Sequence, residues 1–272
     1  MKLRRIIGDF IRKRNPLDIE HIQIPIQNTP PKFTSLKIAH VSDIHIPRCA
    51  FEPRTIADAV GAQNPDAIFL TGDIMDGGCD FDGVSIALLI DLFTNIAPTY
   101  VVSGNHERKN DDYYNIWRTM LQLRGVHFMN NKVRRIKKDG MRFVITGMRD
   151  VSTTELFETD LSFLSSLKVA DDECHLLLHH KPHMWRFYYP EDAPSPDIVF
   201  SGHAHGGQIR LPYINRGLFA PNQGLFPKYI SGIYYYRDES KEVVSRGLVS
   251  CTRPVRINNP PHIPIVELIP ES

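Results

Sequence analysis

The 272-residue chain contains no run of about 18 consecutive apolar residues, so the sequence predicts no membrane-spanning helix. It also has almost no excess of one charge, because 32 lysines and arginines stand against 31 aspartates and glutamates. A net charge of +1 is too small for a protein that neutralises the phosphate backbone of nucleic acid. No nucleic-acid partner is therefore expected.

Cysteine is scarce, and none of the four cysteines forms a Cys-x-x-Cys pair. Their wide separation argues against a disulfide framework and favours free thiols in a reducing compartment. Arg4 and Arg5 would suit an export signal, but the apolar segment that such a signal needs is interrupted by the basic residues 12–14. We therefore expect a cytoplasmic protein.

The motifs of two large groups of enzymes are missing as well. The chain has neither a Gly-x-Ser-x-Gly nucleophile elbow nor a phosphate-binding loop with a Walker lysine. These absences argue against a serine hydrolase of the elbow type and against a P-loop nucleotidase.

Residues 1–14 are the most asymmetric segment of the chain. Six basic residues against Asp9 give a local charge of +5, and apolar residues recur at helical spacing. Such a helix either docks on the rest of the protein or lies on an anionic membrane. We favour peripheral contact with the inner face of the membrane through Leu3, Arg4, Arg5, Ile6, Ile7, Phe10 and Ile11.

Prolines at four positions between residues 16 and 31 favour an extended, linker-like segment after this helix. We therefore divide the chain into an N-terminal helix and linker, residues 1–33, and a domain, residues 34–272. Within the domain, short apolar runs alternate with helical patterns, which is typical of an α/β fold. The strands are predicted at 36–41, 67–70, 99–102, 132–137, 141–146, 174–178, 197–200, 243–249 and 263–269, and the helices at 54–62, 84–93, 112–124 and 155–167.

Five predicted strands are followed directly by residues that bind metals. In an open α/β sheet the carboxyl ends of the strands meet at one edge, which would gather these side chains. Side chains two residues apart on an extended backbone point the same way, so His203 and His205 can face one point. Mixed carboxylate, amide and imidazole ligands suit manganese, iron or zinc better than calcium or magnesium. The candidates are Asp43, His45, Asp73, Asn105, His180, His203 and His205.

The motifs at these strand ends together resemble the calcineurin-like metallophosphoesterase superfamily. They are Asp43-Ile44-His45, Gly72-Asp73-Ile74-Met75-Asp76, Gly104-Asn105-His106-Glu107, His180-Lys181-Pro182 and Gly202-His203-Ala204-His205. The resemblance implies an α/β fold, a four-layer α-β-β-α sandwich of two mixed sheets, with a dinuclear metal site at the carboxyl ends of the strands. The extension Gly206-Gly207-Gln208 and the segments 245–248 and 254–257 are similar to one bacterial branch, which includes phospholipid phosphodiesterases and UDP-diacylglucosamine pyrophosphatases.

Carried over to this chain, the resemblance implies two divalent ions, with manganese first and iron or zinc as alternatives. One ion would be bound by Asp43, His45, Asp73 and His205, and the other by Asp73, Asn105, His180 and His203. His179 is an alternative to His180, although the spacing to Pro182 favours His180.

The resemblance also implies roles for residues beside the ligands. His106 would be the general acid beside the leaving group, with a hydroxide that bridges the ions as the nucleophile. Asp76 and Glu107 are expected behind the ligands, Asp76 to orient a ligand or its loop and Glu107 as structural support.

These expectations predict a metal-dependent phosphohydrolase that cleaves a phosphodiester or pyrophosphate bond. The aromatic stretch 212–236 either lines a wall for acyl chains or belongs to ordinary packing. With residues 1–14 it favours a lipid-linked substrate. A phosphodiesterase for soluble or cyclic nucleotides is the alternative within the enzyme class, and a metal-bound protein-binding scaffold is the alternative outside it.

Overall fold

The computed structural model describes residues 16–151, 160–211, 216–249 and 256–271. In it the chain forms two mixed six-stranded β-sheets, so the predicted α/β class with two mixed sheets is confirmed. The amphipathic segment 1–14 and the first five residues of the helix predicted at 155–167 lie outside the described residues. In the described part of that predicted helix only Ser162–Ser165 are helical. No helix within the described ranges combines the length and the apolar character that crossing a bilayer requires.

The first sheet has the order β1-β14-β2-β3-β4-β5. Strands β2 to β5 run parallel, β14 is antiparallel to β2, and β1 is parallel to β14. Three of its central strands are almost entirely buried, as expected for a sheet that is covered on both faces. The bounds are β1 Asp18–Ile26, β2 Leu36–Val41, β3 Ala67–Leu70, β4 Thr99–Val101, β5 His127–Phe128 and β14 His262–Pro270.

The second sheet has the order β12-β13-β9-β8-β7-β6. Its four central strands are parallel, and an antiparallel strand closes each edge. A separate two-stranded hairpin consists of β10 Phe219–Ala220 and β11 Gly224–Leu225. The bounds in the second sheet are β6 Lys132–Lys138, β7 Met141–Gly147, β8 Glu173–Leu178, β9 Ile198–Ser201, β12 Gly232–Tyr235 and β13 Lys241–Val244.

Three helices pack on the outer face of the first sheet. They are α1 Pro53–Gly61, α2 Gly83–Ile96 and α3 Asp111–Leu123, and each begins as its sequence favours. Proline opens α1, while Asp82 and Asn110 cap α2 and α3 by accepting hydrogen bonds from backbone N–H groups. The short helix α4, Ser162–Ser165, and a 3-10 turn, Met184–Phe187, lie against the outer face of the second sheet.

One apolar core lies between the first sheet and its three helices, and another lies between the two sheets. Phe69 of the first sheet and Phe200 of the second meet edge to face with ring centroids 5.0 Å apart, and both are fully buried. This packing holds the carboxyl ends of β2, β3 and β4 beside those of β8 and β9.

Two segments differ from the sequence-based prediction. Residues 18–26, assigned above to a linker, form β1, where buried Ile22, Ile24 and Ile26 alternate with exposed residues. The strand predicted at 243–249 ends at Val244, because the chain leaves the sheet and Gly247 passes against Asp43. A Cβ atom on Gly247, whose φ is +69°, would lie 2.4 Å from the Cβ atom of Asp43.

Candidate metal centre

The loops that follow β2, β3, β4, β8 and β9 meet where the two sheets adjoin, and each carries residues singled out in the sequence. The loops are joined by backbone hydrogen bonds, such as Asp43 N–H to Gly72 O (3.1 Å) and His45 N–H to Asp73 O (2.9 Å). The His203 N–H donates to the Asp43 carboxylate at 2.9 Å, which links the two sheets. The predicted gathering of strand ends is therefore present.

The backbone of these loops is not extended. Asp43, His45, Asp73, His203 and His205 all have φ between 47° and 63°. Non-glycine residues adopt this left-handed conformation uncommonly, and it is concentrated at functional sites. The expectation that His203 and His205 face one point on an extended backbone is therefore wrong, because left-handed residues turn them toward different partners.

The side chains that could bind a metal ion, which we call the donor cluster, fall into two groups. The first group consists of Asp73, His180 and His203, with Asn105 beside them. His180 Nε2 lies 3.3 Å from Asp73 Oδ2, 3.2 Å from Asn105 Oδ1 and 3.1 Å from His203 Nδ1. The other nitrogen of His180, Nδ1, lies 2.7 Å from the Thr71 carbonyl oxygen. A carbonyl only accepts, so Nδ1 carries the proton and Nε2 of the neutral ring has a free lone pair.

A second group consists of Asp43, His45 and His205. His45 Nδ1 lies 3.3 Å from the Asp76 carboxylate, to which it donates, and its Nε2 faces Asp73 Oδ2 at 3.5 Å. His205 Nε2 lies 3.8 Å from Asp43 Oδ1. Asp73 thus lies between the two groups.

The electrostatics of the site favour a cation. Burial alone would lower the pKa of His180, but Asp73 and Asp43 raise that pKa to about 10. Burial alone would raise the pKa of Asp73, yet His180 and His45 lower it well below its ordinary value. The buried carboxylates therefore stabilise positive charge at the point where the donors meet.

The residues present fit divalent metal ions on two observations. Lone pairs of imidazole, carboxylate and amide groups converge in a buried space, where they repel each other unless a proton or a metal ion lies between them. His45 Nε2 and His205 Nδ1 are buried and have no hydrogen-bond partner in the described structure. Such a donor set is typical of first-row transition metals.

His106 lies at the rim of this cluster, with its ring centroid 4.4 Å from that of His45. Its Nδ1 accepts a hydrogen bond from the Gly77 N–H at 3.1 Å. Lys109 Nζ lies 2.9 Å from Nε2. Burial, with His45 and Lys109 nearby, lowers the pKa of His106 to about 4 against the opposing effect of Asp73.

Asp76 and Glu107 lie behind these residues and contact their side chains or backbone. Asp76 accepts from His45 and from Arg48 Nη1 (3.2 Å). Glu107 accepts four backbone N–H groups at 2.7–3.0 Å, from Asp73, Ile74, Met75 and Gly104. Glu107 therefore joins the loop after β3 to the loop after β4.

His180, rather than His179, belongs to the donor cluster. His179 Nε2 lies 2.6 Å from the Tyr188 hydroxyl, on the other side of the strand end. Asn222 was not among the predicted site residues, but its Oδ1 lies 2.7 Å from His203 Nε2. Its position within the aromatic stretch gave no sign of this contact, although an Asn before Gln-Gly is typical of a turn.

Replacing Glu107 by glutamine tests its role in joining the loops. The NH₂ group of glutamine would replace one carboxylate oxygen of Glu107. The buried backbone N–H groups that donate to that oxygen would then have no acceptor. We expect the free energy of unfolding, measured by urea titration in EDTA, to fall by about 1–3 kcal/mol. The control is Glu52→Gln, because Glu52 is exposed and its side chain makes no capping hydrogen bond. Equal stability of the two variants would contradict this role.

Comparisons with known proteins agree with the fold and the site. Residues 36–207 match the family described as Calcineurin-like phosphoesterase. The chain is 26% identical over 267 residues to a bovine "Transmembrane protein with metallophosphoesterase domain", covering 93% of this chain and 57% of that protein. It is 27% identical over 240 residues to "Phosphodiesterase YaeI" of Escherichia coli, covering 86% of this chain and 82% of that protein.

Among solved structures, the NAD nucleotidase (NadN) of Haemophilus influenzae shares the fold with a TM-score of 0.52 at 14% identity. The match covers 79% of this chain and 45% of that chain. The family match covers more than half of the 272 residues and includes every strand end that carries the candidate ligands. Its class of enzyme, metal-dependent phosphohydrolase, is the class that the sequence predicted. The chain therefore belongs to the calcineurin-like phosphoesterase family.

Proposed function

We propose that this protein hydrolyses a phosphodiester or pyrophosphate bond with two divalent ions, of which manganese is the first choice. Asp43, His45, Asp73 and His205 would bind one ion, and Asp73, Asn105, His180 and His203 the other. The observation that carries the proposal is the convergence of buried imidazole nitrogens from both sheets on the carboxylate of Asp73.

Bound divalent ions would supply Lewis acidity, which lowers the pKa of water and neutralises charge on a phosphoryl group. The protein's own residues would do the rest. Asp76 fixes the His45 ring with Nε2 toward the site, and Glu107 holds the backbone of Asp73. His106 lies at the rim, where its lowered pKa of about 4 keeps the ligand-free ring neutral. It would act as a general acid only as the imidazolium, which the negative charge of a bound phosphoester favours, and would then donate its proton to the ester oxygen that leaves.

Replacement of His106 by asparagine separates catalysis from metal binding. Loss of the general acid should lower kcat for a phosphodiester with an alkyl alcohol as leaving group by about 10²–10⁴-fold, and kcat for bis-p-nitrophenyl phosphate much less, because p-nitrophenolate leaves without a proton. The metal content, measured by elemental analysis, should stay at that of the unmodified protein, because His106 is proposed not to be a ligand. His21→Asn is the control, since His21 is an exposed residue of β1. Loss of metal from the His106 variant would contradict the assignment.

The proposed substrate is lipid-linked, and the support comes from the hairpin of β10 and β11, which we call the apolar hairpin (residues 219–225). Ala220 on its inner face is fully buried against Ala204, beside His203. Phe219 and Leu225 form a cross-strand pair on the outer face and are 42% and 68% exposed. Phe226, 59% exposed, extends this surface. Exposed apolar side chains clustered beside a site are typical of a contact with an apolar ligand.

Three other aromatic residues of the stretch 212–236, Tyr229, Tyr234 and Tyr236, belong to packing, while Tyr235 is 72% exposed and Tyr213 lies outside the described residues. Tyr229 lies between Tyr234 and Tyr236, with ring centroids 4.9 and 6.2 Å away, and the Tyr234 hydroxyl accepts the Ile230 N–H. The proposed acyl contact is therefore confined to the apolar hairpin and Phe226.

The apolar hairpin can be tested with the double variant Leu225→Ser/Phe226→Ser. Burial of one such side chain contributes roughly 1.5–3 kcal/mol, so hydrolysis of glycerophospholipid vesicles or UDP-acylated sugars in Mn²⁺ should fall about tenfold or more. Hydrolysis of bis-p-nitrophenyl phosphate should not change. Val84→Ser/Leu123→Ser is the matched control, because these residues are 82% and 81% exposed on helices α2 and α3.

The same set of substrates distinguishes the alternatives. Turnover of cyclic nucleotides without turnover of lipids would favour a phosphodiesterase for soluble nucleotides. A protein that binds its metal fully and hydrolyses no phosphoester would favour a protein-binding scaffold.

We further propose that residues 1–14 form a segment separate from the domain and contact an anionic membrane surface. The support is their charge of +5 and their apolar stripe, and the bovine relative is named a transmembrane protein. Deletion of residues 1–15 should abolish sedimentation with phosphatidylserine vesicles, since each basic residue contributes about 1 kcal/mol at such a surface. Sedimentation with neutral vesicles is the control. Unchanged binding after the deletion would contradict the proposal.

A further inference from the structure

Each of three histidines in the donor cluster has one ring nitrogen directed at an oxygen outside the cluster. For His180 that oxygen is the Thr71 carbonyl, and for His45 it is the Asp76 carboxylate. For His203 it is Oδ1 of Asn222, 2.7 Å from Nε2. Such contacts fix the tautomer and the orientation of a ligand histidine.

The Asn222 contact determines which nitrogen of His203 faces the cluster. An amide oxygen only accepts, so His203 Nε2 carries the proton and Nδ1 keeps its lone pair. Nδ1 lies 3.1 Å from His180 Nε2, in the space that these donors share. The opposite tautomer would place an N–H group in that space and remove one donor.

The backbone around Asn222 holds its side chain in place. Asn222 has φ of 60°, a left-handed conformation that asparagine tolerates better than most residues. The next residue, Gln223, donates its N–H to Ala220 O at 3.2 Å and binds both the N–H and the carbonyl of Tyr229 through its side chain (2.9 and 2.8 Å). Hydrogen bonds to Ala220 and to Tyr229 therefore hold the turn of the apolar hairpin in place.

The hairpin is also anchored next to His203. Ala220 packs against Ala204 and Val244 in a small buried cluster. Leu218 N–H donates to the carbonyls of Gly207 (3.1 Å) and Ile209 (2.8 Å). Gly217 and Gly207 approach so closely that a Cβ atom on either would lie 2.4 Å from the Cα atom of the other. The apolar hairpin and the histidine loop therefore form one unit.

We propose that Asn222 is a positioning residue, which holds His203 in the Nε2–H tautomer so that Nδ1 is presented to a metal ion. The inference rests on the metal ligands assigned in the proposed function. It extends that assignment, because the apolar hairpin is proposed to contact the substrate. A side chain of the same hairpin would then also control the affinity of the site for a metal ion.

The test compares Asn222→Gly with the unmodified protein in Co²⁺ titrations of metal-free protein, followed by absorbance and by competition with a chelator. Glycine keeps the left-handed backbone and removes only the side chain. We expect about 10- to 100-fold weaker binding of one ion and a changed absorption spectrum. Asn222→Asp, which keeps the acceptor, should restore the affinity to within a few-fold of that of the unmodified protein.

Asn64→Gly is the matched control. Asn64 is also an exposed left-handed asparagine (φ 49°), but it follows α1 and precedes β3, at the opposite end of the strands. The proposal would be overturned if Asn222→Gly and Asn64→Gly had the same affinity for Co²⁺ and the same absorption spectrum. So would a failure of Asn222→Asp to restore the affinity.

These measurements need no substrate, which separates this inference from the proposed function. A protein that binds two ions and hydrolyses no phosphoester would contradict the proposed activity alone. The comparison of the Asn222 variants would still support or overturn the role of Asn222.

Discussion

The carboxylate of Asp73 is the interaction around which the two sheets and their loops are organised. Its Oδ2 faces the rings of His45 and His180, which follow strands of different sheets. Its Oδ1 accepts a hydrogen bond from the backbone N–H of His106 at 2.8 Å. The approach of Gly104 is so close that a Cβ atom there would lie 2.3 Å from Asp73 Oδ1. A buried carboxylate with these neighbours requires compensating positive charge, and the fold supplies the ligands that would hold it.

The sequence predicted most of this arrangement for a physical reason. Short apolar runs that end in Asp, Asn or His identify parallel strands, and parallel strands place their carboxyl ends at one edge. The features that the sequence did not predict depend on contacts between segments that are distant in the chain. Residues 18–26 are a strand because β14 lies beside them, whereas Pro25 within the stretch and the prolines on either side of it favoured a linker. Asn222 reaches His203 only because the hairpin folds over the histidine loop, and no local pattern records that packing.

The C-terminal segments 245–248 and 254–257 resemble one branch of the family in sequence, and their described residues contact the loops of the candidate metal centre. Leu248 and Val249 donate their N–H groups to the Asp43 carbonyl, and Arg256 donates to the carbonyls of Arg246 and Gly247. Asn259 Nδ2 donates to the carbonyls of His205 and Gln208. The tail therefore supports the loops of Asp43 and His205 from outside.

The position of β14 has a consequence for the order of folding. β14 lies between β1 and β2, so Asp18 pairs with His262, 244 residues later in the chain. During folding, β1 has no partner and one edge of β2 stays uncovered until residues 262–270 reach them. Pairings of such long sequence separation form slowly because loop closure comes first. Leu248 and Val249, which support Asp43, lie shortly before β14, so the site is completed only when this distant segment has docked.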